Sequence, residues 1–340
     1  MLPPLRFEPI AKARPWGDSR LARLGKPTIP GQRVGETWEV SDLPDSIVDG
    51  QSRVLGGPFA GRTLRELRLS HRDDLLGIAT PAPDGSFPLL IKFLDAADNL
   101  SLQVHPVPSY VERNPNTHVK NEAWIVVACE PGSRVYRGIR PDTTREMFQS
   151  ALAAGRALDH IESYEVAPGD CVYLPSGVCH ALGAGILAAE VQTPSDTTFR
   201  VWDWNRDATL RPLHLEQAWQ CMRFGKDQFD GTPGFVRHDD APRIEAAGVV
   251  TRRLCRSPYF SVESLECKAD ARIPFAATGI PEVWMAIRGD ARVSSGTDAF
   301  PLQAGATVLL PARVEDGFIH ASAGTMLLRM ACASPLDRAM

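Results

Sequence analysis

The apolar positions of this chain cluster in short runs divided by turn residues. Residues 88–95 and 122–128 are runs suited to buried strands. Gly35 to Ser41, reading GETWEVS, alternates polar and apolar residues and predicts a further strand. Thr63 to Leu76 predicts a helix: leucines recur at 64, 67, 69, 75 and 76, Thr63 and Glu66 make a capping box, and Gly77 ends it. A second helical pattern runs from Thr143 to about Asp159, with Thr143 and Glu146 as its capping box and Gly155 as a break. Strand spacing returns over 164–200, Leu213 to Phe224 predicts a third helix ended by Gly225, and 249–335 is nearly all short strands and turns. The segment GKDQFDGTPGFVRHDDAPR, 225–243, has the composition of a linker.

Two stretches echo two others. Gly169-Asp-Cys-Val-Tyr-Leu-Pro175 recurs as Gly305-Ala-Thr-Val-Leu-Leu-Pro311, and Glu122-Ala-Trp124 as Glu282-Val-Trp284. The span from Glu122 to Gly169 exceeds that from Glu282 to Gly305 by about the length of the helical stretch at 140–163. The economical reading is one β architecture used twice, with a helical insertion in the first copy. At 340 residues the chain accommodates two such units. The expected division is 1–230 and 231–340.

Composition narrows the class. An apolar content of 44% and a charged content of 23% are those of a globular protein. A net charge of −4 with no Lys/Arg run leaves no nucleic-acid footprint. The 28 prolines and 27 glycines favour many turns and short strands. MLPPLRFEPIAKARPWG lacks the apolar core of a secretory signal, and no run has the length of a membrane span. Seven scattered cysteines without a C-x-x-C pair fit a reducing cytosol, so a cytoplasmic location is expected.

The best metal-ligand candidates are Gln103, His105, Glu122 and His180. Gln103 and His105 are two apart, so on a strand they share a face while Val104 points behind. Imidazole, carboxylate and amide oxygen suit a borderline divalent ion such as zinc, with room for water or substrate. Any one of these residues alone is more simply a satisfied polar group. Their company raises the case: Lys92 sits within an apolar run, and Pro106 stops the chain after His105. Cys179 adjoins His180, but strand neighbours point opposite ways, so it reads as packing.

The run Gly169-x5-Pro175-x-Gly177-x2-His180 resembles the second cupin motif, which implies a mainly β fold of two cupin-like jelly-roll barrels with a small helical insertion. A finer series resembles the type I mannose-6-phosphate isomerases. It comprises Lys92 in FPLLIKFLDA, Gln103 and His105 in LSLQVHP, Lys120-Asn-Glu122-Ala-Trp124, His180-Ala-Leu-Gly-Ala-Gly, and Ser195-Asp196-Thr-Thr-Phe-Arg200-Val. Pro15-Trp16-Gly17 and Gly35 to Ser41 also look like that family, and the resemblance covers about 1–210. It implies one zinc ion per chain on Gln103, His105, Glu122 and His180, with Lys92, Lys120 and Arg200 as basic substrate-site residues and Asp196 an acid near the arginine. The implied activity is the interconversion of mannose 6-phosphate and fructose 6-phosphate in carbohydrate metabolism. The second copy has Asp316 where counting from Gly305 matches His180, and ARIPFAATGI where the Q-x-H pair would fall. It is therefore expected to be a metal-free supporting domain.

Aldose–ketose isomerisation moves a proton between C1 and C2 through an enediol, and the enediolate needs positive charge beside its oxygens. Arg200 suits enediolate or phosphate stabilisation. Lys92 and Lys120 suit proton transfer or phosphate contact, and Asp196 either assists ring opening or pairs with Arg200. Two other classes compete: an iron-holding cupin dioxygenase, and a sugar-phosphate-binding protein without turnover. The basic residues argue against an apolar oxygenase substrate, and the full ligand set argues against a mere binder. The expected partner is a small sugar phosphate, with no nucleic acid or membrane; monomer and dimer both stay open.

Overall fold

The computed structural model of the chain describes residues 1–206 and 211–334. Two β-sandwiches follow one another. In the first, a seven-stranded sheet runs in the order Ile10–Asp18, Val34–Val40, Leu90–Ala96, Ile186–Gln192, Glu122–Cys129, Cys171–Leu174, Phe235–Val236. It faces a five-stranded sheet ordered Phe199–Trp202, Leu102–Val104, His180–Leu182, Arg134–Ile139, Ile161–Glu165. The second pairs a six-stranded sheet, Arg243–Ala246, Val249–Arg256, Phe260–Cys267, Met326–Cys332, Glu282–Arg288, Thr307–Leu310, with a four-stranded one, Ala271–Phe275, Gly317–Ala321, Asp290–Ser295, Asp298–Gln303. The expected mainly β, cupin-like fold is present as facing sheets.

The sequence echo is a structural repeat. Glu122 and Trp124 lie opposite Leu174 and Val172, as Glu282 and Trp284 lie opposite Leu310 and Val308. Gly169 donates its N–H to Val126 O at 2.7 Å, and Gly305 donates to Ala286 O at 2.7 Å. Both glycines have φ near +90°, at 93° and 91°, a turn that a side chain would strain. The helix Arg145–Ala153 and the 3-10 turn Ala157–His160 stand between Arg134–Ile139 and Ile161–Glu165. In the second copy the matching strands, Asp290–Ser295 and Asp298–Gln303, form a tight hairpin.

Strand alternation sets the layers. Ile91, Phe93, Ile125 and Leu187 turn outward from the first sandwich and share one core with Val262, Met285, Leu309 and Leu328 of the second. The two large sheets therefore pack back to back. Leu94, Trp124, Val126 and Ala188 turn the other way, onto Val135 and Leu182 of the five-stranded sheet. These central strands are buried on both faces, which explains their unbroken apolar runs.

The helices correct three boundaries. Thr63 caps as expected, its hydroxyl accepting from Glu66 N while Glu66 Oε2 accepts from Thr63 N at 2.7 Å. The helix then breaks at His71 into Leu64–Ser70 and Arg72–Leu75. The cap of Arg145–Ala153 is Thr144, which accepts from Met147 N; Thr143 instead meets His160 Nδ1 at 2.9 Å. The third helix is shorter than its apolar pattern, Leu215–Cys221.

Candidate active site

Gln103, opposite His180 across the strand pairing, places its Nε2 at 3.3 Å from His180 Nε2. Rotation of the amide about its last bond exchanges that nitrogen for the oxygen. Val104 points behind, into the core on the far side of the five-stranded sheet. His105 Nε2 lies 3.3 Å from Glu122 Oε2, and His180 Nε2 lies 3.1 Å from Glu122 Oε1. Ligand atoms of His105, Glu122 and His180 all fall within 4.8 Å of one another. The sequence-predicted quartet is thus gathered at one place.

This cluster fits a divalent ion. All three side chains are fully buried, His105 Nδ1 has no hydrogen-bond partner, and both ring nitrogens that face Glu122 converge on its two oxygens. Such buried groups are costly unless something charged completes them. The Nδ1 of His180 sits 2.8 Å from Val178 O, which fixes the proton there and leaves Nε2 as a lone pair aimed at the cluster. Burial, aided by Lys120, pushes His105 down to about 3, so the ring is neutral and able to ligate. Burial opposes ionisation of Glu122, but Lys120 and His105 hold its carboxyl well below the usual range.

A cavity of about 740 Å³ adjoins the cluster through Gln103 and Lys120, which touch His180 and Glu122 and also line the cavity. Gln103, Lys92, Lys120, Asp196 and Arg200 all line it, so every predicted substrate-site residue reaches one space. Lys120 Nζ lies 2.9 Å from Glu122 Oε2. Lys92 Nζ lies 3.1 Å from Glu190 Oε2 and 3.7 Å from Glu36 Oε2. Burial works against its charge, yet these two carboxylates hold the ammonium above its ordinary value. Arg200 donates to Pro212 O at 2.9 Å and keeps a buried Nε without a partner. Asp196 is exposed and forms no ion pair with Arg200 among the described residues.

Several lining residues escaped the sequence reading. Glu190 stands in ILAAEVQ, and its signal was a lone carboxylate in an apolar run. It accepts from Trp124 Nε1 at 2.9 Å, and burial raises its pKa. Glu36 accepts from Arg14 Nε at 2.7 Å and Trp38 Nε1 at 2.8 Å. Arg14 and Glu36 lie in or beside motifs that carried the resemblance but had no assigned role. Arg211 and His214 also line the cavity, and nothing in their local sequence marks them.

The second copy differs at the same point. Strand register sets Gly317 opposite Phe275, as His180 is opposite Gln103. Gly317 opens its strand as His180 opens His180–Leu182, and Asp316, the position given by counting, immediately precedes it. Phe275 is buried in the second sandwich, where an added Cβ on Gly317 would strike its ring.

Fold and site together define a double β-sandwich protein with a buried His–Glu–His cluster under a cation-lined cavity. Residues 5–124 match the family described as phosphomannose isomerase type I, catalytic domain. The chain is 34% identical to mannose-6-phosphate isomerase ManA of Bacillus subtilis over 91% of its length and 93% of that protein. It is 31% identical to the mannose-6-phosphate isomerase of Streptococcus mutans, over 92% of this chain and 93% of that one. The crystal structure of mannose 6-phosphate isomerase from Bacillus subtilis superposes with a TM-score of 0.83 at 28% identity, covering 97% of this chain and 99% of that one. The chain belongs to the type I phosphomannose isomerase family.

Proposed function

We propose that this chain interconverts mannose 6-phosphate and fructose 6-phosphate through an enediol, with one zinc ion on His105, Glu122, His180 and Gln103. The observation that carries the reading is the buried His105–Glu122–His180 cluster, joined through Gln103 and Lys120 to a cavity that Lys92 and Arg200 also line. When bound, the ion supplies positive charge beside the sugar oxygens that become anionic.

The protein's own groups do the rest. Lys120, with its Nζ 2.9 Å from Glu122 Oε2, is the candidate closest to the cluster for moving a proton between the carbons. Lys92, clamped by Glu190 and Glu36, stays protonated and acts as a fixed positive charge. Arg200 is the strand neighbour of Gln103, and no carboxylate is paired with it among the described residues. That leaves its charge available to the enediolate. Asp196, free of Arg200, faces the cavity as an acid for ring opening. Five cations around one cavity suit an anionic sugar and not the apolar substrate of a cupin dioxygenase. We further propose that the second sandwich is a scaffold, with Phe275 and Gly317 where the first has ligands. A cytoplasmic location accords with a sugar-phosphate substrate; no described helix is long and apolar enough to cross a membrane.

The test is a coupled assay on a panel of aldose phosphates, with zinc, cobalt and iron supplied in turn. Mannose 6-phosphate is expected to turn over and chelation to abolish it. A protein loaded with each metal yet inert toward that substrate defeats the reading.

A further inference from the structure

The two sandwiches treat the outer face of their smaller sheet differently. In the first, Leu102, Val104 and Ala181 are covered by Phe148 of the helix Arg145–Ala153 and by Ala218 and Cys221 of the helix Leu215–Cys221. In the second, no helix follows Gln228 among the described residues. The strands Ala271–Phe275, Gly317–Ala321 and Asp290–Ser295 turn Ile273, Ile319 and Val293 inward, and their other face is exposed.

The charges on that exposed face are sorted by row. Strand register sets Arg272 and Arg292 on either side of His320. One step along the same face, Asp270 and Asp290 flank Ser322, which donates its N–H to Asp290 O at 3.0 Å. Opposite charges on neighbouring strands would stabilise the sheet by themselves, and sorting by row forgoes that gain. None of the four charged side chains makes an ion pair among the described residues. Arg272 lies over the Phe318 ring, 3.4 Å from its centroid, and His320 Nε2 meets Ser294 Oγ at 3.1 Å. Both therefore lean away from the aspartates. A trough of about 560 Å³ is lined by the two rows.

We propose that this face is the contact between two copies of the chain, related by a two-fold axis that runs across the strands between the two rows. Rotation about that axis sets each row on the opposite row of the copy. Asp270 then meets Arg272, Ser322 meets His320 and Asp290 meets Arg292, each pair formed twice. The trough admits the incoming arginine side chains to the carboxylates. A free anion suits the face less well, because the aspartates repel it, whereas a second copy satisfies both rows at once. Area sets the strength. Four strands of five or six residues present roughly 300 Å² of sheet plane, against about 800 Å² per partner in a standard interface, so the dimer is weak. Its ion pairs are exposed at the rim and make it sensitive to salt.

The test is sedimentation of the full chain over a series from about 1 µM to about 300 µM, at low salt and at about 1 M salt. Wild type is expected to pass from monomer to dimer at low salt and to revert at high salt. Arg292→Asp sets like charges together twice in the interface and is expected to weaken the dimer by about tenfold or more. Adding Asp290→Arg to that variant rebuilds both pairs with their signs exchanged. The double variant is expected to regain self-association and to refuse labelled wild type. A wild type monomeric throughout, a dimer that Arg292→Asp leaves as tight, or a double variant no better than the single overturns the proposal. So does a monomer that binds inorganic phosphate through Arg292, which makes the face an anion site.

Discussion

Trp124 donates its Nε1–H to Oε1 of Glu190 at 2.9 Å, and the same carboxylate reaches Lys92 with its other oxygen at 3.1 Å. Trp124 also stands edge-on to His180, with ring centroids 5.5 Å apart at 74°. One indole therefore braces both the His105–Glu122–His180 cluster and the Lys92 ammonium.

The Lys92–Glu190 pair is buried, so removing one partner strands a charge. Glu190→Leu or Lys92→Met alone is expected to cost about 3–5 kcal/mol. The double variant should cost clearly less than the two combined, because no lone charge remains. Denaturant unfolding of the four proteins checks this. Strict additivity of the two losses defeats it.

Glu36 gives a signed pH dependence. Burial pushes its carboxyl up, but Lys92 and Arg14 prevail and hold it at about 2, against an ordinary 4.5. A depressed carboxylate stabilises the fold at pH values above its unfolded pKa, and that contribution fades as pH falls toward the folded one. The gap in stability between wild type and Glu36→Gln, on the order of 3 kcal/mol at neutral pH, should shrink below about pH 4.5 and close near 2. Melting curves measured across that range decide it; a gap that widens in acid contradicts the assignment.

The division of labour between ligands and cations predicts different losses. His180→Ala should lose both metal and activity, since its imidazole is one of the three clustered groups. Arg200→Ala should keep the metal and lose activity by about a hundredfold or more. Metal content by elemental analysis beside steady-state rates distinguishes them. An arginine variant that comes out metal-free overturns the scheme.

The second sandwich should tolerate change at one position and resist it at the next. Asp316→Ala is expected to leave turnover intact. Gly317→Ala should lower the melting temperature, because its new methyl meets Ser294 O and the Phe275 ring. A large fall in kcat for Asp316→Ala means that the second sandwich contributes to the site.

Much of this was legible beforehand because strands impose strict alternation. Gln103 and His105 fell on one face, and Lys92 betrayed itself as a charge within an apolar run. The helical insertion showed as extra length between two echoed motifs. Glu190 gave the same kind of signal as Lys92 but was passed over, since a carboxylate without a named partner reads as noise. Arg211 and His214 were invisible because only tertiary folding brings them to the cavity. The Thr143 cap failed by one residue: adjacent threonines carry the same signal, and the contact with His160 decides between them.

The back-to-back packing of the two large sheets reaches beyond stability. Ile91 and Phe93 flank Lys92 along one strand and are anchored among residues of the other half of the chain. Any loosening of that shared wall tilts the strand carrying the ammonium, so remote substitutions near Val262 or Met330 should surface as altered kinetics before they surface as unfolding.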